Sequence, residues 1–144
     1  MKEIIRNTFA AMVGAVTGVV LISMLQIFSQ RLYPLPEGVD SSNKEAMGEF
    51  IRNLPVTAML LVLASYAIGV TAGAWLAGKL SYNADRRQAV MVTILFVAAS
   101  VMNLLAFPHP LWFWLANFAV VIGGGWLAVR LLERRRITVD PNGG

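Results

Sequence analysis

With 144 residues, 57% of them hydrophobic and only 14% charged, this chain has too little polar surface to enclose its apolar side chains in a water-soluble fold. A small domain leaves a large share of its residues at the surface, and here lipid must cover many of them. The absence of cysteine excludes a disulfide framework, thiolate zinc sites and thiol redox catalysis, and the formal net charge of +4 is explained by topology signals without a nucleic-acid partner.

Long charge-free stretches dominate the pattern. Asn7–Gln30 and Asn53–Gly78 carry no charge, and neither does Gln88–Val129, which Pro108-His109-Pro110 interrupts near its middle. A helix crossing the hydrocarbon core needs about 20 apolar residues at ~1.5 Å each, so the first two stretches are each long enough once and the third is long enough twice. The predicted fold class is an all-α membrane protein. It is a four-transmembrane-helix bundle with spans at about 7–30, 54–78, 88–107 and 111–132, and with a short amphipathic helix in the outer loop 31–53. Lys2 and Arg6 make a basic start, but the following run is too long for a signal h-region and ends in Ser29-Gln30-Arg31 without a small-residue cleavage site. It therefore reads as a retained span.

The first span carries Ala10, Gly14 and Gly18 at four-residue spacing, a small-residue stripe that lets two backbones approach closely where lipid supplies no hydrophobic drive for helix association. Gln26 is its candidate polar residue within the span. In the loop that follows, Tyr33-Pro34-Leu35-Pro36-Glu37-Gly38 is stiffened by prolines, and Tyr33 is placed to anchor at the head groups. Ser42 followed by Glu45 has the capping-box spacing, and Ala46, Met47, Phe50, Ile51 and Leu54 then form one stripe opposite Lys44, Glu45, Glu49 and Arg52. Such a helix lies on the outer membrane surface or lids the bundle. Pro55 restarts the chain as a first-turn proline, with Asn53 available as a cap.

The second span repeats the stripe with Ser65, Gly69, Gly73 and Ala77, and a short loop around Asp85 leads to the third. There Ser100 and Asn103 lie three apart and share a face. Two prolines then permit a tight reversal, with His109 at its apex and Trp112, Phe113 and Trp114 forming an interfacial belt. The fourth span carries Asn117, Ala119, Gly123, Gly124 and Gly125, a run that weakens or bends a helix unless a neighbour fills the gap. Residues 137–144, with Pro141 and two terminal glycines, read as a disordered tail.

Nine of the twelve basic residues, namely Lys2, Arg6, Lys79, Arg86, Arg87, Arg130, Arg134, Arg135 and Arg136, fall on the side of the termini and the Asp85 loop, whereas Arg31, Lys44 and Arg52 fall on the other. Basic residues are retained on the cytoplasmic side, so both termini are expected there. The arginine run serves as a topology anchor, with attraction of anionic head groups as the alternative.

The glycine stripes fit packing inside the chain, with a homo-oligomer or partner membrane protein as the other reading. Gln26, Ser100, Asn103 and Asn117 are neutral, which suits bridging between helices better than a path for a charged solute. His109, the only histidine, has Glu37, Asp40, Glu45 and Glu49 on its side of the membrane, so a pH-sensing site built on an approach to one of them is expected beside the simpler role of a turn residue. One histidine with irregularly spaced carboxylates gives no metal-ligand pattern, and no cofactor motif or catalytic constellation is present.

The segments Tyr33-Pro34-Leu35-Pro36-Glu37-Gly38-Val39-Asp40 and Leu54-Pro55, the stripe through Gly69, Gly73 and Gly78, and Asn103 with Pro108-His109-Pro110-Leu111-Trp112-Phe113 together resemble a family of small four-span bacterial inner-membrane proteins of unassigned role. The resemblance covers most of residues 8–132 and implies the bacterial cytoplasmic membrane and the same layout. It brings no activity, ligand or catalytic residue. The functional expectation is a structural or accessory bundle that binds a partner protein or lipid, with an oligomeric small transporter or channel as the alternative. An intramembrane enzyme ranks behind both, because Ser29, Ser41 and Ser42 have no spacing that recommends pairing with His109.

Overall fold

A computed structural model describes residues 1–82 and 86–139, with side chains described as far as Arg134. Five helices follow one another: α1 (Lys2–Leu32), α2 (Lys44–Asn53), α3 (Val56–Leu80), α4 (Arg86–Ala106) and α5 (Leu111–Val139). α1, α3, α4 and α5 up to Arg134 are long and apolar enough to cross a membrane. The chain is thus an all-α four-helix bundle, and its apolar helices are those of a multi-pass membrane protein.

Successive long helices run antiparallel. At one end, Arg6 Nε donates to the Leu80 carbonyl at 3.1 Å and Asn7 Oδ1 accepts from the Tyr82 amide at 2.8 Å, tying the start of α1 to the end of α3. Arg86 and Glu133 pair at 3.6 Å between α4 and α5; both are well exposed, so the pair contributes at most about 1 kcal/mol. At the other end, called here the lid end, the Tyr33 and Thr57 hydroxyls bond at 2.8 Å, and α2 lies beside the turn between α4 and α5. This tether fixes the loop to the first turn of α3.

Local chemistry sets the helix boundaries, in three places differently from the sequence reading. Asn43, not Ser42, caps α2: its Oδ1 accepts from the Glu45 and Ala46 amides at 3.0 and 3.3 Å. Ser42 turns back instead, and its amide and hydroxyl both donate to Asp40 Oδ1, at 2.8 and 2.7 Å. Asn53 ends α2 rather than capping α3. Pro55 takes the cap position of α3, with its carbonyl accepting from Ala58 and Met59 at 2.9 and 3.4 Å. At the far terminus α5 continues through Val139, so residues 137–139 of the expected tail are helical. No glycine or proline follows Gly125 until Pro141 to stop the helix. Residues 140–144 and the Asp85 position lie outside the described residues.

The tightest packing joins α1 to α3. Gly14 faces Gly73 and Ala77, and Gly18 faces Gly69; a methyl group added at Gly73 would stand 2.6 Å from the Gly14 carbonyl oxygen. This is backbone-to-backbone contact inside one chain, the intramolecular reading of the small-residue stripes. In α5 the glycine run stays helical because neighbours fill it: Gly124 meets Thr71 Oγ1 and Gly125 meets the Thr93 side chain. Gly123, expected to pack, faces open space, and its place in the seam is taken by Gly125, two positions on. Helical rotation of about 100° per residue puts only two of three consecutive glycines on one inward arc.

The interior has two parts. Small residues such as Val70, Ala74, Ala77, Val92, Val121 and Ala128 fill the body of the bundle, while Ile51, Met59, Leu63, Leu104 and Phe113 form a bulkier cluster beneath the lid. Outward, α1 presents Phe9, Met12, Val16, Met24 and Phe28, each about 60% exposed. An apolar exterior over a small-residue interior inverts the usual soluble arrangement.

Candidate functional site

The lid end encloses a cavity of about 310 Å³, at the lower edge of the ~300–1,000 Å³ range of small-molecule sites. α2 builds its roof because its apolar stripe points inward. Met47, Phe50, Ile51 and Leu54 line the space, while Lys44, Glu45, Glu49 and Arg52 line a shallow groove on the opposite side. The roof rests on Gly48, where an added Cβ would come within 2.8 Å of Pro108 Cγ, so only glycine lets α2 approach the α4–α5 turn this closely.

Four neutral polar side chains reach the cavity from different elements: Gln26 of α1, Tyr66 of α3, Asn103 of α4 and His109 of the turn. Asn103 Nδ2 donates to the Tyr66 hydroxyl at 3.2 Å, and Gln26 is a second hydrogen-bonding neighbour of that hydroxyl. Gln26 and Asn103, read in the sequence as separate bridging residues, thus meet at one point. Tyr66 was missed. The signal was its place as the only tyrosine inside the charge-free stretches, where a phenolic hydroxyl needs a partner. A second, smaller cavity of about 150 Å³ inside the bundle shares Tyr66 with the first and is lined also by Ser23, Phe96 and Ser100.

His109 is half-buried. Its Nδ1 lies 2.9 Å from the Phe107 carbonyl oxygen and its ring stacks on Phe113 at 4.9 Å, with planes 14° apart. A carbonyl only accepts, so Nδ1 carries the proton and Nε2 is the free acceptor in the neutral ring. Burial lowers the imidazole pKa from its ordinary 6.5, and the Phe107 contact offsets this only in part. The expected carboxylate partner is not among its contacts. Glu37 and Asp40 are exposed in the loop, and Glu45 and Glu49 sit on the far face of α2. Helix periodicity explains the separation: the stripe that covers the cavity turns the charged residues of α2 away from it. Asp40 is instead held below the usual carboxylate range by the Ser42 amide and then the Ser42 hydroxyl.

Ser100 and Asn117 pair with each other, apart from the lid cavity. The Asn117 amide donates to Ser100 Oγ, and its Oδ1 is buried without a partner. Although Ser100 and Asn103 share a helix face, one reaches α5 and the other α3. Among the described residues no group of three or more His, Asp or Glu converges as metal ligands would. The arrangement suits a ligand that is mostly apolar and carries a neutral hydrogen-bonding group. Comparison of the chain with family models, with curated proteins and with solved structures gives no match.

Proposed function

We propose that the protein is a membrane-embedded binding bundle that holds a lipid in the cavity beneath α2. The observation that carries this reading is the lidded, largely apolar cavity into which Gln26, Tyr66, Asn103 and His109 converge from four elements. A bundle serving only as a scaffold would fill that space with side chains, as interiors normally do. The lid supports the same reading, because its apolar stripe faces the cavity rather than the surrounding lipid.

Membrane and orientation belong to this proposal. The basic residues Lys2, Arg6, Lys79, Arg86, Arg87, Arg130 and Arg134 gather at the end opposite the lid, which supports cytoplasmic termini and a lid facing outward in the bacterial cytoplasmic membrane. Gly14, Gly18, Gly69, Gly73 and Gly124 are engaged inside the chain, so a homo-oligomer or partner membrane protein would have to use other faces.

Photoactivatable acyl lipids, one with a neutral glycerol head and one a phospholipid, incorporated separately with the purified protein in nanodiscs, test the reading, which needs lid-end labelling by at least one of them. Labelling is expected to concentrate on Met47, Phe50 and Met59 around the cavity. Labelling spread evenly over the exposed α1 residues Met12, Met24 and Phe28, with none at the lid, overturns it. Thiol accessibility of single cysteines placed at Glu37 and at Glu133 in intact cells tests the orientation, with only the first expected to react.

A further inference from the structure

Resting on the lipid-binding reading, we infer that the cavity selects an uncharged acyl lipid carrying both a hydroxyl and an ester carbonyl, a monoacylglycerol-type amphiphile, over lipids with a phosphate head. None of the residues lining the cavity is Asp, Glu, Lys or Arg; the lid's own charges lie on its other side. A phosphate drawn into this space would lose its hydration without gaining a counter-ion, a penalty that a neutral head escapes.

Ser29, Gln30 and Tyr33 also line the cavity, and the groups gathered around Tyr66 and the turn match such a ligand donor for acceptor. Asn103 spends one amide proton on Tyr66, and its second proton and its carbonyl oxygen have no partner among the described residues. With Gln26 beside the same tyrosine hydroxyl, two half-buried amides offer donors to an ester carbonyl and acceptors to a hydroxyl. His109 adds Nε2 as a further acceptor, since Nδ1 is committed to Phe107. A purely carbonyl-bearing ligand such as a quinone would leave the acceptors unmatched. The 150 Å³ cavity that shares Tyr66 gives room for the start of a single acyl chain along Val19, Ile22 and Phe96.

The test compares two probes that differ only in the phosphate. Phosphatidylcholine nanodiscs holding the protein are doped with 1-monooleoylglycerol or with 1-oleoyl lysophosphatidic acid, and the lipid retained by the protein is counted by native mass spectrometry. Monooleoylglycerol is expected to be retained roughly tenfold better, and Asn103→Leu and Gln26→Leu are each expected to lower its retention by roughly three- to tenfold, the range of one net hydrogen bond. Gln26 lies on half-exposed α1 surface, so Gln26→Leu keeps the test decisive if Asn103→Leu does not fold. Equal or better retention of lysophosphatidic acid, or retention of monooleoylglycerol indifferent to both variants, overturns this inference. In that case lid-end photolabelling by phospholipid would leave the broader lipid-binding reading standing. Loss of that labelling as well would remove both.

Discussion

Replacing Gly14 by alanine adds one methyl group at the closest approach between α1 and α3. That methyl would meet the Gly73 carbonyl oxygen, with Ala77 Cβ at 2.6 Å and Ala77 N at 3.0 Å, where ordinary contact is 3.4–4 Å. These atoms belong to backbone or to a Cβ, so no side-chain rotation relieves the clash, and the helices must part by about 1 Å. A gap of that size forfeits a quarter to a half of each dispersion contact; over a patch comparable to one buried leucine, on the order of 50 contacts of ~0.15 kcal/mol, the loss is about 2–4 kcal/mol. Alanine's better helix propensity returns about 1 kcal/mol. The net expectation is destabilisation by about 1–3 kcal/mol, within the usual range for overpacking. Gly123→Ala is the internal control. The same chemistry there meets nothing within 4 Å, so only the propensity gain of up to about 1 kcal/mol remains. Reversible unfolding in mixed micelles, titrated with SDS and followed by tryptophan fluorescence, measures both. If the two variants unfold at the same SDS fraction, the seam is not the close contact argued for it.

Ser100→Ala strands the buried Asn117 amide, whose other polar atom is already unpartnered, and is expected to cost about 1–3 kcal/mol. Adding Asn117→Leu should recover most of that in the same unfolding assay, because an apolar pair leaves no polar atom unmatched. Asn43→Ala removes both cap hydrogen bonds at the start of α2 and should weaken that helix by about 1 kcal/mol, read as roughly fivefold faster amide exchange confined to residues 44–53. His109 has a folded-state pKa below its ordinary 6.5, so the unfolded chain binds more protons as the pH falls. Its contribution is full above pH 6.5 and is lost progressively as the pH drops toward the folded pKa. The ring contacts the Phe107 carbonyl and Phe113, and the cavity it lines holds Tyr33 and Tyr66 but no carboxylate. Thermal stability should therefore decline as the pH falls below the ordinary imidazole pKa of 6.5, and His109→Gln should flatten that slope.

Charge-free length and small-residue spacing carried the architecture because both are one-dimensional properties. Hydrocarbon thickness sets the first, and a four-residue period sets the second, so Gly14, Gly18, Gly69 and Gly73 could be read directly. Gly123 could not be distinguished from Gly125, since consecutive glycines carry no marker of which way the helix is rotated. The amphipathic stripe of α2 was equally legible, but the cap moved one residue, because Asp40 competes for Ser42 and leaves the amides of α2 to Asn43. The site itself required three dimensions. Gln26, Tyr66 and Asn103 are far apart in the chain and meet only after antiparallel packing. The helix rotation that closes the roof turns Glu45 and Glu49 toward an outer groove, while His109 lines the cavity.

α1 leans on α3 through its backbone along the seam, whereas it touches α4 far less, with Phe96 reaching Gly18 and both helices lining the 150 Å³ space. That flank faces sideways. If the bundle holds a lipid as proposed, a guest dissolved in the bilayer would enter between α1 and α4 without first desorbing into water, and occupancy would follow its mole fraction in the leaflet rather than its aqueous solubility. Even a scarcely soluble molecule could then exchange quickly with the protein.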